Sequence, residues 1–301
     1  MELTKQQIED LRKEYAINYG SKEFETGLEL IKKMILYDKY PVEDPTMTLL
    51  GGQQGSGKTQ LLLMWQVDNI VRLSLDECTR FHPKLEDMLE YPDLFAYLTY
   101  ETGLMWRNEI YNQLVKEKYN VITEGTLKDE QGTVRLINEL RENGYNVNAH
   151  IMATGIVESG LSVFERYEEE ILSGVKFPRL TECVSSYSDI PKTVKRLEDE
   201  DLCDIIKVFR RGKKYEASLI YSSDEENSRY KTAYECLLET RRIDNLRAIP
   251  SLDERIRIIK ELMIDRNATG RELMQLENFR TTLEKDFIKL DRGGENDGRA
   301  C

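Results

Sequence analysis

Cysteine and histidine are scarce in this 301-residue chain, and what there is of them is dispersed. Five cysteines, Cys78, Cys183, Cys203, Cys236 and Cys301, form no CxxC pair, and only His82 and His150 could join them. That excludes a disulfide-stapled scaffold and leaves no zinc-ligand spacing. Long apolar runs are missing as well. No window approaches ~18 apolar residues, and the opening MELTKQQIEDLRKEY is charged and helical in pattern, without the apolar core of a secretory leader. The expectation is a cytoplasmic protein with no membrane contact. Positive charge is in the minority: 43 Lys and Arg face 55 Asp and Glu, a net −12. Such a field repels phosphate backbones and anionic bilayers, so nucleic acid is not an expected partner, while a local basic pocket for a small anion stays open. There is no internal repeat, and low complexity is confined to the polar tail Asp291–Cys301.

What is present is enough apolar material, 40% of residues, for one large domain or a domain with an appendage. Helical spacing over residues 5–37, broken at Tyr19-Gly20-Ser21, predicts two leading helices. Past Pro41 and Pro45, the short apolar runs MTLL, NIVRLSL (69–75), NVIT (120–123) and YNVNAHIMA (145–153) read as buried strands. Helical patterns at 58–67, about 88–118 and 131–142 separate them. Alternation of this kind predicts βαβ units, an α/β fold whose parallel sheet carries helices on both faces. Helices at 157–172 and 188–199 follow, then two strands, DIIKVFRR and KYEASLIYSS, whose Gly212-Lys213 junction suggests a hairpin or sheet edge. A polar, acidic stretch from Ser222 to Ser228 marks a boundary. The expected division is a helical lead (1–44), a core (45–222) and a charged helical extension (223–301), the last packing on the core in preference to serving as a docking or self-association surface.

Gly52-Gln53-Gln54-Gly55-Ser56-Gly57-Lys58-Thr59 matches GxxxxGK[ST] between a predicted strand and a predicted helix, the context a phosphate-binding loop requires. Its glycines let the backbone wrap a phosphate, the helix N-terminus adds partial positive charge, Lys58 reaches the β and γ oxygens and Thr59 ligates Mg²⁺. The nucleotide expected is ATP. Asp76 and Glu124 stand at the ends of the next two predicted strands, where an open parallel sheet places its ligand crevice. A carboxylate there can accept the proton of a substrate hydroxyl or hold magnesium, although Asp76 could equally cap the helix that follows.

Taken together, LLGGQQGSGKT, Asp76 six residues before His82-Pro83, YNVITEGT, Gly144-Tyr145, Glu165-Arg166-Tyr167-Glu168 and Arg179 in FPRLT resemble the zeta toxin family over residues 45–222. The resemblance implies a P-loop kinase-like fold. It also implies an enzyme that phosphorylates a hydroxyl of UDP-N-acetylglucosamine, depletes a cell-wall precursor and is held inactive by a small helical antitoxin. By that resemblance Asp76 is the base, Lys58 and Thr59 hold phosphates and metal, Arg166 and Arg179 close on the γ-phosphate, and Glu124 and Thr126 contact metal and substrate. Three positions depart from the family pattern: Asn108 replaces a glutamate, Lys128 an arginine and Leu136 a threonine, all on the acceptor side. The acceptor could therefore be another nucleotide-containing molecule such as NAD. A non-enzymatic NTP-binding switch is the alternative from another class. His82 and His150 read as a turn residue and a satisfied interior residue, and nothing near Cys78 argues for a reactive thiol.

Overall fold

The computed structural model describes residues 3–64, 68–88, 90–91, 94–170, 180–212, 216–226 and 228–288. Helices α1 (Lys5–Tyr15) and α2 (Lys22–Ile35) start where the sequence supplies side-chain caps. Thr4 and Gln7 form a reciprocal capping box, and Ser21 accepts from the Phe24 N–H. Then follow β1 (Thr46–Gly51), α3 (Lys58–Met64), β2 (Val71–Leu73), α4 (Leu75–Thr79), α5 (Leu85–Met88), α6 (Phe95–Glu117), β3 (Val121–Gly125), α7 (Glu130–Glu142), β4 (Asn146–Met152), α8 (Ile156–Glu170), α9 (Leu180–Asp199), β5 (Ile205–Arg211), β6 (Ala217–Ser222), α10 (Ala233–Ala248), α11 (Leu252–Asp265) and α12 (Gly270–Thr282).

The six strands form one sheet in the order β2-β3-β1-β4-β5-β6, parallel except for the last pair. Gly212 N–H donates to Glu216 O at 2.7 Å where β5 turns into β6, so the predicted sheet edge is an antiparallel hairpin. β1 lies between β3 and β4, with Leu50 opposite Glu124 on one side and His150 on the other. The chain leaves β1 toward the β2 edge and leaves β4 toward the β5 edge. Such a switch point opens a crevice beyond the strand C-termini.

Alternation along the strands divides the core. Met47, Leu49, Val121, Val147, Ala149 and Ile151 face a layer built from α2, α6, α7, α9 and α10. Leu50, Ile122 and Met152 face Leu61 and Leu62 of α3. The leading helix α2 is part of the larger layer: Trp106 stacks on Phe24 at 5.9 Å and its indole N–H donates to Phe24 O at 2.9 Å. At the other end of the chain, Cys236 and Leu237 of α10 are buried in that same layer. Helices α11 and α12 form a further core with α8 and α9 around Phe164, Ile256, Ile259, Leu276 and Phe279.

Two elements differ from their predicted extent. NIVRLSL pairs only over Val71–Leu73, because Ser74 turns out of the sheet to cap α4, accepting from the Glu77 N–H at 3.1 Å. α9 begins at Leu180 and runs through Pro191, which lies within the helix and does not mark its start.

Candidate active site

The phosphate loop spans the gap between β1 and α3 and is bent by Gly55 and Gly57, whose φ angles of +72° and +97° suit glycine alone. A Cβ at Gly55 would lie 2.0 Å from the Ser159 carbonyl oxygen, so the loop also needs glycine for close approach to α8.

Five consecutive loop carbonyls each accept a hydrogen bond. Lys58 Nζ donates to Gly52 O at 2.7 Å and to Gln53 O at 3.1 Å. The Cys183 thiol donates to Gln54 O, Arg211 to Gly55 O at 2.9 Å and the Thr154 hydroxyl to Ser56 O at 2.7 Å. These contacts tie the loop carbonyls to their surroundings, and the Ser56 N–H closes a turn onto Gln53 O at 3.2 Å. Gln53 is fully buried under the loop: its Nε2 donates to Thr154 O at 2.7 Å and Ser159 Oγ at 3.1 Å, and its Oε1 accepts from Arg241 at 2.9 Å. Gln54 is half-buried, and the buried Ser56 hydroxyl has no partner among the described residues.

Lys58 begins α3 and is pulled toward its neutral form by burial, while Glu124 and Asp76 favour its charge. Glu124 is the penultimate residue of β3, beside Leu50. Burial raises its pKa, Lys58 and Arg166 oppose that rise, and Asp76 and Glu77 reinforce it. The structure therefore brings Lys58, Asp76 and Arg166 within electrostatic reach of Glu124. Asp76 reaches this crevice from the first turn of α4, not from a strand end, and the capping role falls to Ser74. Its backbone carbonyl accepts from the Thr79 hydroxyl at 3.0 Å. Arg166 projects from α8, and its Nε donates to Glu170 at 3.1 Å, so the i,i+4 pair is formed on an exposed face. Arg179 lies outside the described residues.

On the acceptor side, Thr126 follows the strand end and is half-buried. The next residue, Leu127, adopts a left-handed φ of +55° and packs its side chain on Gly51. Lys128 is ion-paired with Glu182 of α9. Asn108 is exposed on α6, and Leu136 packs against the large core layer. The residue of α6 that reaches β3 is Arg107, whose guanidinium donates to the Thr123 hydroxyl at 3.2 Å, one position before Glu124. Arg107, Arg211 and Arg241 were not singled out by motif or period, since each sits in an ordinarily charged helix or strand. Thr154, at the end of a strand that the sequence did reveal, had a signal that could have found it.

His82 is buried, accepts from the Lys84 N–H at 3.2 Å, and burial holds its pKa down to about 4. His150 is buried beside Phe209, with a pKa of about 3 from the same cause. Both are neutral interior residues near neutral pH. Burial pushes the Cys78 thiol up to about 12, away from thiolate chemistry.

The geometry fits a nucleoside triphosphate: a carbonyl-braced glycine loop, a lysine at its rim and a helix start behind it. Among the described residues no group of three or more His, Cys, Asp or Glu could hold a metal by itself. The donors suit Mg²⁺, which keeps several waters and takes one or two protein oxygens beside phosphates; exposed Thr59 and Glu124 are the ones at hand.

The family model for zeta toxin matches residues 32–226. The zeta toxin of Streptococcus pyogenes is 27% identical over 220 residues, 70% of this chain and 75% of that protein. A chain from the PezAT chromosomal toxin–antitoxin system of Streptococcus pneumoniae superposes with a TM-score of 0.67 at 23% identity, covering 81% of this chain and 99% of that one. AvrRxo1-ORF1:-ORF2 with ATP is more distant, at TM-score 0.50 and 14% identity over 79% of this chain and 77% of that one. A match over more than half of the chain, on a sheet of this order with the phosphate loop at its centre, assigns the protein to the zeta toxin family.

Proposed function

We propose that the protein is an ATP- and Mg²⁺-dependent phosphotransferase that phosphorylates a sugar hydroxyl of UDP-N-acetylglucosamine or a related UDP-sugar. It acts as a cytoplasmic toxin against cell-wall precursor synthesis and is held in check by a small helical antitoxin. The observation that carries the reading is the meeting of Asp76 and Glu124 with Lys58 at the mouth of the phosphate loop. Family membership supports a kinase-like activity, the similarity to a toxin–antitoxin chain supports the partner, and the similarity to a structure with ATP supports the nucleotide.

ATP with Mg²⁺ supplies the phosphoryl group and neutralises the charge that develops as it moves. The loop N–H groups and Lys58 hold the phosphates, with Lys58 exchanging its two loop carbonyls for phosphate oxygens. Thr59 and Glu124 are the residues that would hold the metal. The acceptor hydroxyl forms the new O–P bond as the bond to ADP breaks, and its proton passes to Asp76. Arg166, on α8, and Arg179 are assigned the supply of positive charge that stabilises the transferring group.

Incubation with ATP and UDP-N-acetylglucosamine should yield ADP and a product one phosphate heavier. Asp76→Asn should lower the rate by about 10²–10⁴-fold with Mg-ATP binding retained. No product with any UDP-sugar would overturn the acceptor, and an undiminished Asp76→Asn rate would overturn the base. The alternative acceptor is a dinucleotide such as NAD, in view of the three positions that depart from the family pattern: Asn108 is exposed, Lys128 is tied to Glu182 and Leu136 packs against the large core layer. A switch that only binds NTP needs no base placed for an organic hydroxyl, the role assigned to Asp76.

A further inference from the structure

The C-terminal helix α10 lies beyond the residues matched by the family model, yet it sends a side chain under the phosphate loop. Arg241 is 2% exposed, and its terminal nitrogens make two hydrogen bonds, one to Gln53 Oε1 at 2.9 Å and one to Tyr187 O at 2.7 Å. Its guanidinium carbon sits 4.3 Å from the centre of the Tyr187 ring, and Nε has no partner.

Gln53 is gripped at both of its carbonyls. Lys58 takes the main-chain oxygen and Arg241 the side-chain oxygen. A primary amide can turn over, exchanging donor for acceptor, and Arg241 prevents that here because a guanidinium only donates. The amide nitrogen is thereby aimed at Thr154 O and Ser159 Oγ, which fastens the loop to the β4–α8 junction.

The second contribution is charge. Burial lowers the Arg241 pKa to about 10, which still leaves it protonated at neutral pH. Among the described residues it forms no ion pair; its neighbours are a carbonyl, an amide, an aromatic face and the Cys183 thiol. Guanidinium tolerates such a site better than ammonium because it is more weakly hydrated. A buried cation without a carboxylate is costly, and an anion bound on the far side of the same loop offsets that cost across a low-dielectric gap.

We propose that Arg241 is a positioning residue of the nucleotide site, acting through Gln53 to hold the phosphate loop in its binding shape and favouring a bound polyphosphate by its buried charge. This rests on the nucleotide reading of the loop. The α10 helix is on this view a working part of the site and not only a support for α9.

The test uses the full chain and direct Mg-ATP binding by calorimetry, which needs no knowledge of the acceptor, together with melting temperature. Arg241→Met should weaken Mg-ATP by at least about tenfold. Arg241→Lys, which keeps the charge without the fork and is the fallback should the methionine variant not fold, should fall between it and the parent. Leu237→Ala, buried one turn earlier in the same helix in the large core layer, should lower the melting temperature with Mg-ATP affinity kept. Gln53→Leu combined with Arg241→Met should be no worse than Arg241→Met alone, since the connection through Gln53 is already broken there. Parent-like affinity in Arg241→Met, additive losses in the double variant, or an equal loss in Leu237→Ala would overturn the proposal. A parent chain that binds no Mg-ATP would overturn the nucleotide reading itself and the proposal with it.

Discussion

Gly55 shows how a single position serves both shape and packing. Its left-handed φ costs an L-residue roughly 1–2 kcal/mol, and any Cβ must also displace the Ser159 carbonyl at the head of α8. That carbonyl belongs to backbone and cannot swing aside. Gly55→Ala is therefore expected to weaken Mg-ATP by about tenfold or more, measured by calorimetry, with secondary structure intact by circular dichroism. Unchanged affinity would mean that the loop reshapes freely. Lys58, Thr59 and Glu124 could be picked out in the sequence from the motif and a strand end, whereas Asp76, expected at a strand end, stands in the first turn of α4 because Ser74 ends the strand early. Arg107 and Arg241 could not be picked out. Each makes its contact by a tertiary approach, across 16 residues to Thr123 and 188 to Gln53. Local periodicity records no such distance.

At the level of elements, α8 is held by what comes after it. Arg255 of α11 donates to both oxygens of Glu165 at 2.6 and 2.7 Å and to Glu158 at 2.5 Å. Arg266 forks onto Glu168 at 2.6 and 2.9 Å and reaches Glu272 of α12 at 2.8 Å. Between these clamps Phe279 lies against Gly160, where a Cβ would come within 2.0 Å of its ring. The polar pairs fix direction, and the apolar contact supplies most of the attachment. Phe279→Ala should cost about 3–5 kcal/mol in urea unfolding. A cost below about 1 kcal/mol would show that α12 is not cooperative with the sheet. The strand and helix order was readable from periodicity, whereas the extents of β2 and α9 were not, since Ser74 competes for backbone donors and Pro191 is tolerated inside a packed helix.

Across the whole molecule, the family match ends at residue 226, but the buried surface does not. Ala233, Cys236 and Leu237 complete the layer over the sheet, and Ile256, Ile259 and Phe279 complete the one over α8. A chain cut after Glu226 would uncover both, and it is expected to be recovered as aggregate or without a cooperative melt. A soluble, cooperatively melting fragment would refute this. The net charge of −12 belongs to the same scale. It describes a solvated exterior on which many acidic side chains are already paired in helix faces, and it does not describe the cationic lining of the loop.

The span of 188 residues between Gln53 and Arg241 also orders events in time. A ribosome emits the entire phosphate loop well before the helix that braces it. At about 5–20 residues per second, tens of seconds can separate the two. During that interval the nascent chain carries its recognisable motif without the brace, so the proposed competence for nucleotide waits on the synthesis of α10.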